Sequence, residues 1–115
     1  MKVDFSNYVR LLLEKIPELL NSPGYDEDDD DNPYVANANF IAHAKENNDL
    51  YTQFLIVNGE LFNNTGDKEL KNLIGMEIID DYAYSQDSLL KYKDYFNGEA
   101  SIEFENFYSK YIEKR

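Results

Sequence analysis

Apolar residues recur at steps of three and four along most of the chain, which is the spacing of amphipathic α-helices. The first such segment runs from Asp4 to Leu20, and either Asp4 or Ser6 can cap its start. Pro17 interrupts it, because the residue before a proline avoids the helical region. We therefore predict a break at Lys15–Ile16, with Pro17 opening a short further turn. The apolar face consists of Phe5, Tyr8, Val9, Leu12, Leu13 and Ile16.

A second helix is predicted to begin at Asn32-Pro33, with the asparagine as N-cap and the proline as first residue. It ends at Asn47-Asn48-Asp49. Its inward stripe is predicted to consist of Tyr34, Val35, Ala38, Ile41, Ala42 and Lys45.

The segment Asp49–Phe62 is compatible with two structures. Helical spacing is kept by Leu50, Phe54, Val57 and Leu61. The apolar run Phe54–Val57 followed by Asn58-Gly59 is also typical of a strand and hairpin. Because the flanking polar residues do not alternate, we favour a helix.

Three more helices are predicted beyond this segment. Asp67 caps the first, and Asp87 or Ser88 starts a short one that Asn97-Gly98 stops. Ser101 caps the last, whose basic C-terminal residues suit the negative end of the helix dipole. The helix capped by Asp67 is predicted to carry Leu70, Leu73, Ile74, Glu77, Ile78 and Tyr82 along one side. The predicted fold class is all-α: a single-domain bundle of five to six short helices over residues 1–115, with an acidic loop.

Composition excludes several classes of chemistry. A hydrophobic fraction of 43%, with ten Tyr and seven Phe, is too high for a disordered chain. The absence of cysteine excludes disulfides, thiolate zinc sites, iron–sulfur clusters and cysteine nucleophiles. His43, the single histidine, does not support a histidine-rich metal site. No signal peptide is recognised, and the apolar runs are far shorter than the ~20 residues that cross a bilayer. We predict a cytoplasmic protein without a cofactor.

The net charge is the strongest compositional signal. Eleven basic and 23 acidic residues give a net charge of −12. Such a surface repels nucleic-acid phosphates and anionic membranes, and it attracts a basic protein. The alternative is that the acidity only keeps the protein soluble.

The acidic residues concentrate in a low-complexity stretch, residues 21–32, which we predict to be a flexible solvated loop. Adjacent carboxylates repel by about 1 kcal/mol per close pair even in water. Asp26, Asp28 and Asp30 alternate as in an EF-hand, but Asp31 replaces its glycine and Asn37 its final glutamate. An acidic surface interleaved with tyrosines is typical of protein-binding sites. The candidate partner-binding residues are Asp26, Glu27, Asp28, Asp29, Asp30, Asp31, Asp80, Asp81 and Tyr84.

No pattern in the sequence predicts catalysis or metal binding. Glu77 and Asp81 share a helix face at a spacing of four, but the Glu-x-x-His motif of di-metal bundles does not occur. Gly-rich phosphate loops and the Gly-x-Ser-x-Gly motif do not occur either. We therefore predict no catalytic residue and no metal site.

Three segments carry a resemblance to a known family. They are Leu13–Leu19 (Leu-Glu-Lys-Ile-Pro-Glu-Leu), Asn64–Glu77 around Thr65-Gly66-Asp67, and the turn Lys93–Gly98 in a Tyr- and Phe-rich tail. Their order resembles a family of small, uncharacterised bacterial all-helical domains. The resemblance covers most of the chain and implies a helical bundle in toxin-immunity surroundings. It implies no catalytic residue.

These observations predict a non-catalytic acidic binding protein. Its first function hypothesis is an immunity or inhibitor protein that neutralises a basic target, such as a nuclease toxin or a nucleic-acid-binding enzyme. The alternative is a structural or regulatory helical domain that self-associates. Either a monomer or a homodimer is compatible with the sequence.

Overall fold

The regular elements of the computed structural model are helical throughout the residues it describes, 3–85 and 92–113. The α-helices are α1 (Tyr8–Lys15), α2 (Pro33–Ala44), α3 (Asn48–Asn64), α4 (Lys68–Ile74), α5 (Asp80–Ser85), α6 (Tyr92–Tyr95) and α7 (Gly98–Glu113). Two 3-10 turns, Pro17–Asn21 and Glu27–Asp31, lie between α1 and α2, and a π-helical segment, Gly75–Ile79, joins α4 to α5. The predicted all-α bundle is confirmed, and α3 excludes the hairpin alternative. The predicted helix start at Asp87 or Ser88 lies outside the described residues.

Local sequence signals set several helix ends where they were predicted. Helix α1 ends at Lys15, and Pro17 opens a 3-10 turn. Pro33 is the first residue of α2, and the Asp67 carboxylate accepts the Glu69 N–H at 3.0 Å to cap α4. The Asn47 side chain caps α3 in the same way, because it accepts the N–H groups of Asp49 and Leu50.

Two helix starts differ from the prediction. Helix α1 begins at Tyr8 rather than after Asp4, because residues 5–7 form a separate turn in which the Asn7 N–H donates to the Asp4 carboxylate at 3.1 Å. The Phe5 N–H donates to the Asp67 carboxylate at 2.7 Å. Helix α7 begins at Gly98, which has a φ of +56°, rather than at Ser101. Its N-terminal Ala100 N–H donates to Asn63 of α3 at 2.8 Å, so a neighbouring helix supplies the cap.

The predicted inward stripe of α2 is wrong. The residues of α2 that are buried are Pro33, Ala36, Asn37, Phe40 and Ala44. Of the predicted stripe, Ile41 is half-buried, whereas Tyr34, Val35, Ala38, Ala42 and Lys45 are exposed. The helix is rotated because its buried face includes an asparagine, which a purely hydrophobic pattern assigns to the surface.

That asparagine belongs to a buried polar junction of three helices, formed by Tyr8 of α1, Asn37 of α2 and Asn58 of α3. The Tyr8 hydroxyl lies 3.1 Å from Asn37 Oδ1 and 2.5 Å from Asn58 Oδ1. The Asn58 amide also donates to the Phe54 carbonyl at 2.9 Å. All three junction side chains are fully buried, and this burial raises the pKa of the Tyr8 phenol far above its usual range.

Helix α4, the π-helical segment and α5 together form one rod, from Lys68 to Ser85. The remaining core lies between α3, this α4–α5 rod and α7. Ion-pair and ring contacts join Lys71 to Glu99 and Tyr84 to Tyr111, so the rod and α7 run parallel. Tyr82 lies at the centre of an aromatic cluster, with ring centroids 5.6–6.3 Å from four neighbours. Those neighbours are Tyr51, Tyr95, Phe96 and Phe104.

Replacing Tyr8 with phenylalanine tests the polar junction. We expect Tyr8→Phe to lower the free energy of unfolding by about 1–3 kcal/mol, because a buried amide loses its partner. Tyr34→Phe is the control, since Tyr34 is exposed and its hydroxyl has no hydrogen-bond partner in the described part of the chain. Urea denaturation followed by circular dichroism measures both. Equal stability of the two variants would contradict the junction's role.

Two helical glycines offer a matched test of core packing. A Cβ on Gly59 would lie 3.0 Å from Phe96 Cδ1 and 3.3 Å from the Tyr95 carbonyl, whereas one on Gly75 would meet nothing closer than 3.9 Å. Both alanine variants gain helix propensity of about 1 kcal/mol. Only Gly59→Ala also overpacks the core, so we expect it to be less stable than Gly75→Ala by about 1–3 kcal/mol in thermal denaturation. The opposite order would show that Phe96 moves freely.

Candidate protein-binding surface

The acidic turn, Asp26–Asp31, is an ordered structure. The Asp26 carboxylate accepts the Asp28 N–H at 3.1 Å, and the Asp29 carboxylate accepts the Asp26 N–H at 3.1 Å. This reciprocal pair is a capping box for the 3-10 turn Glu27–Asp31. The structure therefore adds a 3-10 turn to the predicted solvated loop of residues 21–32, and four of the six carboxylates of the turn are exposed to solvent.

Further contacts attach the acidic turn to α2. The Tyr25 hydroxyl donates to the Asp30 carboxylate at 2.5 Å, and the Tyr25 ring lies 5.0 Å from that of Phe40. The Asn39 amide donates to the Gly24 carbonyl at 3.3 Å. Burial, followed by the bond to Asp30, raises the pKa of Tyr25 above its usual range. The turn also precedes the positive N-terminal end of α2, which favours nearby carboxylates.

The acidic turn keeps much of its negative charge. The side chains of Glu27, Asp28 and Asp31 form no hydrogen bond or ion pair with the rest of the described chain. The ion pairs among residues 3–85 and 92–113 join Lys45 to Asp81 and Lys71 to Glu99, both outside the turn. The turn therefore presents carboxylates that no lysine or arginine in this part of the chain neutralises.

Apolar side chains flank the acidic turn on α2. Tyr34 is 38% exposed and Val35 is 44% exposed, and they follow Asp31 by three and four residues. Protein-binding sites commonly combine a central apolar or aromatic contact with a polar rim. The turn and this flank together have that composition.

The other predicted residues, Asp80, Asp81 and Tyr84, lie on α5 and form an aromatic–acidic face together with Tyr111 of α7. The Tyr111 hydroxyl donates to the Asp80 carboxylate, which raises the pKa of Tyr111 to about 12. The Tyr84 and Tyr111 rings meet edge to face with centroids 5.0 Å apart, and Tyr84 is 67% exposed. Asp81 binds Lys45 at 2.9 Å. Tyr111 was not predicted as a site residue, because the sequence does not reveal how α5 and α7 align.

The two acidic surfaces do not meet. Asp31 lies just before the start of α2, and Lys45, which holds Asp81, lies just after its end. Twelve residues of helix separate Pro33 from Lys45, which is about 18 Å at ~1.5 Å per residue. The structure therefore divides the predicted site residues between two surfaces.

Glu77 does not form a surface pair with Asp81. It lies in the π-helical segment, where each turn takes more than four residues, so a spacing of four no longer aligns two side chains. Glu77 is half-buried, and burial raises its pKa from 4.5 to about 7. No cluster of three or more His, Asp or Glu suited to a metal ion occurs in the described residues. His43 is half-buried near the end of α2, and its Nδ1 has no partner there.

No protein-family model, no curated protein and no solved structure matches this chain. The resemblance to small bacterial helical domains therefore stays a prediction from the motifs alone. In residues 3–85 and 92–113, no helix is both long enough and apolar enough to cross a bilayer.

The raised pKa of Glu77 predicts how stability depends on pH. The folded chain binds a proton at Glu77 more tightly than the unfolded chain, so its stabilising contribution is complete below about pH 4.5 and is lost as the pH rises through about 7. We expect Glu77→Gln to be more stable than wild type at pH 8, with the gain disappearing towards pH 4.5. Urea denaturation across this range measures it. Glu60→Gln, at an exposed position of α3, is the control and should show no such trend.

Proposed function

We propose that this chain is a non-catalytic inhibitor or immunity protein that binds and neutralises a basic protein in the bacterial cytoplasm. A nuclease toxin or a nucleic-acid-binding enzyme is the class of target with the required charge. The observation that carries the proposal is the acidic turn: a 3-10 turn whose Glu27, Asp28 and Asp31 carboxylates pair with no lysine or arginine side chain that the structure describes, beside the exposed side chains of Tyr34 and Val35.

Order in the acidic turn favours binding. A segment that is already fixed by its capping box and by Tyr25 loses little conformational entropy when a partner docks. Its uncompensated carboxylates would attract a basic surface and accelerate encounter, and salt would weaken that attraction. The apolar flank would then supply the buried contacts that slow dissociation.

The acidic turn suits this role better than the aromatic–acidic face. Lys45 already neutralises Asp81, and Tyr111 already binds Asp80. The exposed ring of Tyr84 remains available as a secondary contact for a partner large enough to reach it. We therefore assign the primary contact to the turn.

The test is a variant that removes negative charge from the acidic turn while its two capping carboxylates stay in place. Glu27→Gln, Asp28→Asn and Asp31→Asn remove three charges while Asp26 and Asp29 still hold the backbone. Immobilised wild type should retain a basic protein from a bacterial lysate and release it as salt rises. We expect the triple variant to bind the purified target at least ~10-fold more weakly, mainly through slower association.

A matched control separates local charge from net charge. Glu60→Gln, Glu105→Gln and Glu113→Gln remove the same number of charges from exposed positions outside the acidic turn. The control should bind within about threefold of wild type at ~0.15 M salt, where charges more than ~8 Å away are screened. Equal binding by all three proteins, or binding that is indifferent to salt, would overturn the proposal.

A further inference from the structure

A groove of about 480 Å³ lies between the rod that starts with α4 and helix α7, with Phe62 of α3 at its base. Its lining residues follow two helical stripes at intervals of three and four, one on each wall. The first wall carries Lys68, Lys71, Asn72, Gly75 and Met76, and the second carries Glu99, Ile102, Glu103 and Phe107. None of these residues belongs to the acidic turn or to the aromatic–acidic face.

The groove exposes apolar surface. Met76 and Ile102, on opposite walls, are 53% and 58% exposed. Between them lies the buried Gly75, where a Cβ would be in ordinary contact at 3.9 Å with Glu103 Cγ and with the rings of Phe62 and Phe107. Exposed apolar side chains flanked by charges are typical of a surface that another protein covers.

The charges of the two walls have opposite signs. Lys68 and Lys71 lie on the α4 wall, and Glu99 and Glu103 lie on the α7 wall. Lys71 and Glu99 already form an ion pair within one copy, so Lys68 and Glu103 are the wall charges that no described side chain pairs. The groove is therefore electrically balanced on a chain whose net charge is −12. A partner of one sign would meet repulsion at one wall, whereas a partner with the same two walls, facing the other way, would meet attraction at both.

We propose that this groove is the contact surface of a homodimer whose two-fold axis runs along the groove. In that arrangement the lysine wall of each copy faces the glutamate wall of the other, as a two-fold interface requires of a self-complementary surface. Met76 and Ile102 of both copies are buried at its centre. The proposal is independent of the function proposed above, because each copy leaves its acidic turn uncovered.

The expected dimer is weak. Each wall spans about nine residues, or ~12 Å of helix, which is small beside the ~800 Å² per partner of a stable interface. The net charge of each chain also opposes association, although ~0.15 M salt screens this repulsion beyond ~8 Å. Sedimentation equilibrium between about 10 µM and 1 mM covers the corresponding affinities.

The apolar part is tested by Met76→Ser combined with Ile102→Ser, which should weaken dimerisation at least ~10-fold. The control is Leu20→Ser with Ile112→Ser, which removes exposed apolar side chains outside the groove and should leave dimerisation unchanged. A wild-type chain that stays monomeric up to about 1 mM, or equal loss in both variants, would overturn the proposal.

Charge exchange between the walls tests the orientation. Lys68→Glu with Lys71→Glu makes both walls negative and changes the net charge by four units to −16; Glu99→Lys with Glu103→Lys makes both walls positive and changes it by four to −8. Each variant alone should lose at least ~10-fold in dimer affinity, and their equimolar mixture should recover wild-type affinity to within about threefold.

The two exchanged variants also separate wall charge from net charge. If only net repulsion mattered, the −8 variant would dimerise better than wild type, and that result would overturn the proposal. Recovery in the mixture shows that both variants are folded and that opposite walls face each other. If the mixture stays monomeric while wild type dimerises, the interface lies elsewhere or the two-fold axis runs across the groove. Either result would refute the proposed arrangement.

Discussion

The first three α-helices meet at the buried hydroxyl of Tyr8, which has one proton to donate and lies within hydrogen-bond distance of Asn37 Oδ1 and Asn58 Oδ1. A buried polar group without a partner costs about 1–3 kcal/mol, and α2 turns Asn37 Oδ1 towards the phenol, whereas Asn37 Nδ2 has no partner among the described residues. Tyr34 and Val35 are thereby turned outwards, immediately after the acidic turn. The apolar flank of the proposed binding surface is thus a consequence of a polar contact in the core.

In a chain with a net charge of −12, the neighbouring carboxylates of the acidic turn repel one another, and the fold has to offset that repulsion. In the acidic turn, three of the six carboxylates form hydrogen bonds within their own segment. Asp26 and Asp29 cap the backbone, and Asp30 accepts the Tyr25 hydroxyl. The other three are left for solvent or a partner. Half of the charge therefore stabilises the geometry in which the other half is presented.

Local signals predicted the end of α1 and the starts of α2 and α4, because Pro17, Pro33 and Asp67 act on the backbone within a few residues of themselves, although the predicted cap Asn32 makes no side-chain capping bond. The inward face of α2 was not predictable from hydrophobicity, since the burial of Asn37 depends on a tyrosine 29 residues away. Tyr111 was missed for a similar reason: its contact with Asp80 depends on how two helices align. The 3-10 turn within the acidic segment was not predicted, because the repulsion between carboxylates was considered and the capping pattern of Asp26 and Asp29 was not.

The two proposed surfaces differ in the sign of their charges, and this difference separates their partners. The acidic turn carries one sign, so two copies of it repel and only a basic surface fits. The groove carries both signs on opposite walls, so we expect it to suit a second copy better than a uniformly charged protein. Salt weakens attraction at the turn, yet it reduces the net repulsion between two copies. If both proposals hold, the difference in charge would keep the contact between two copies separate from the contact with a basic target.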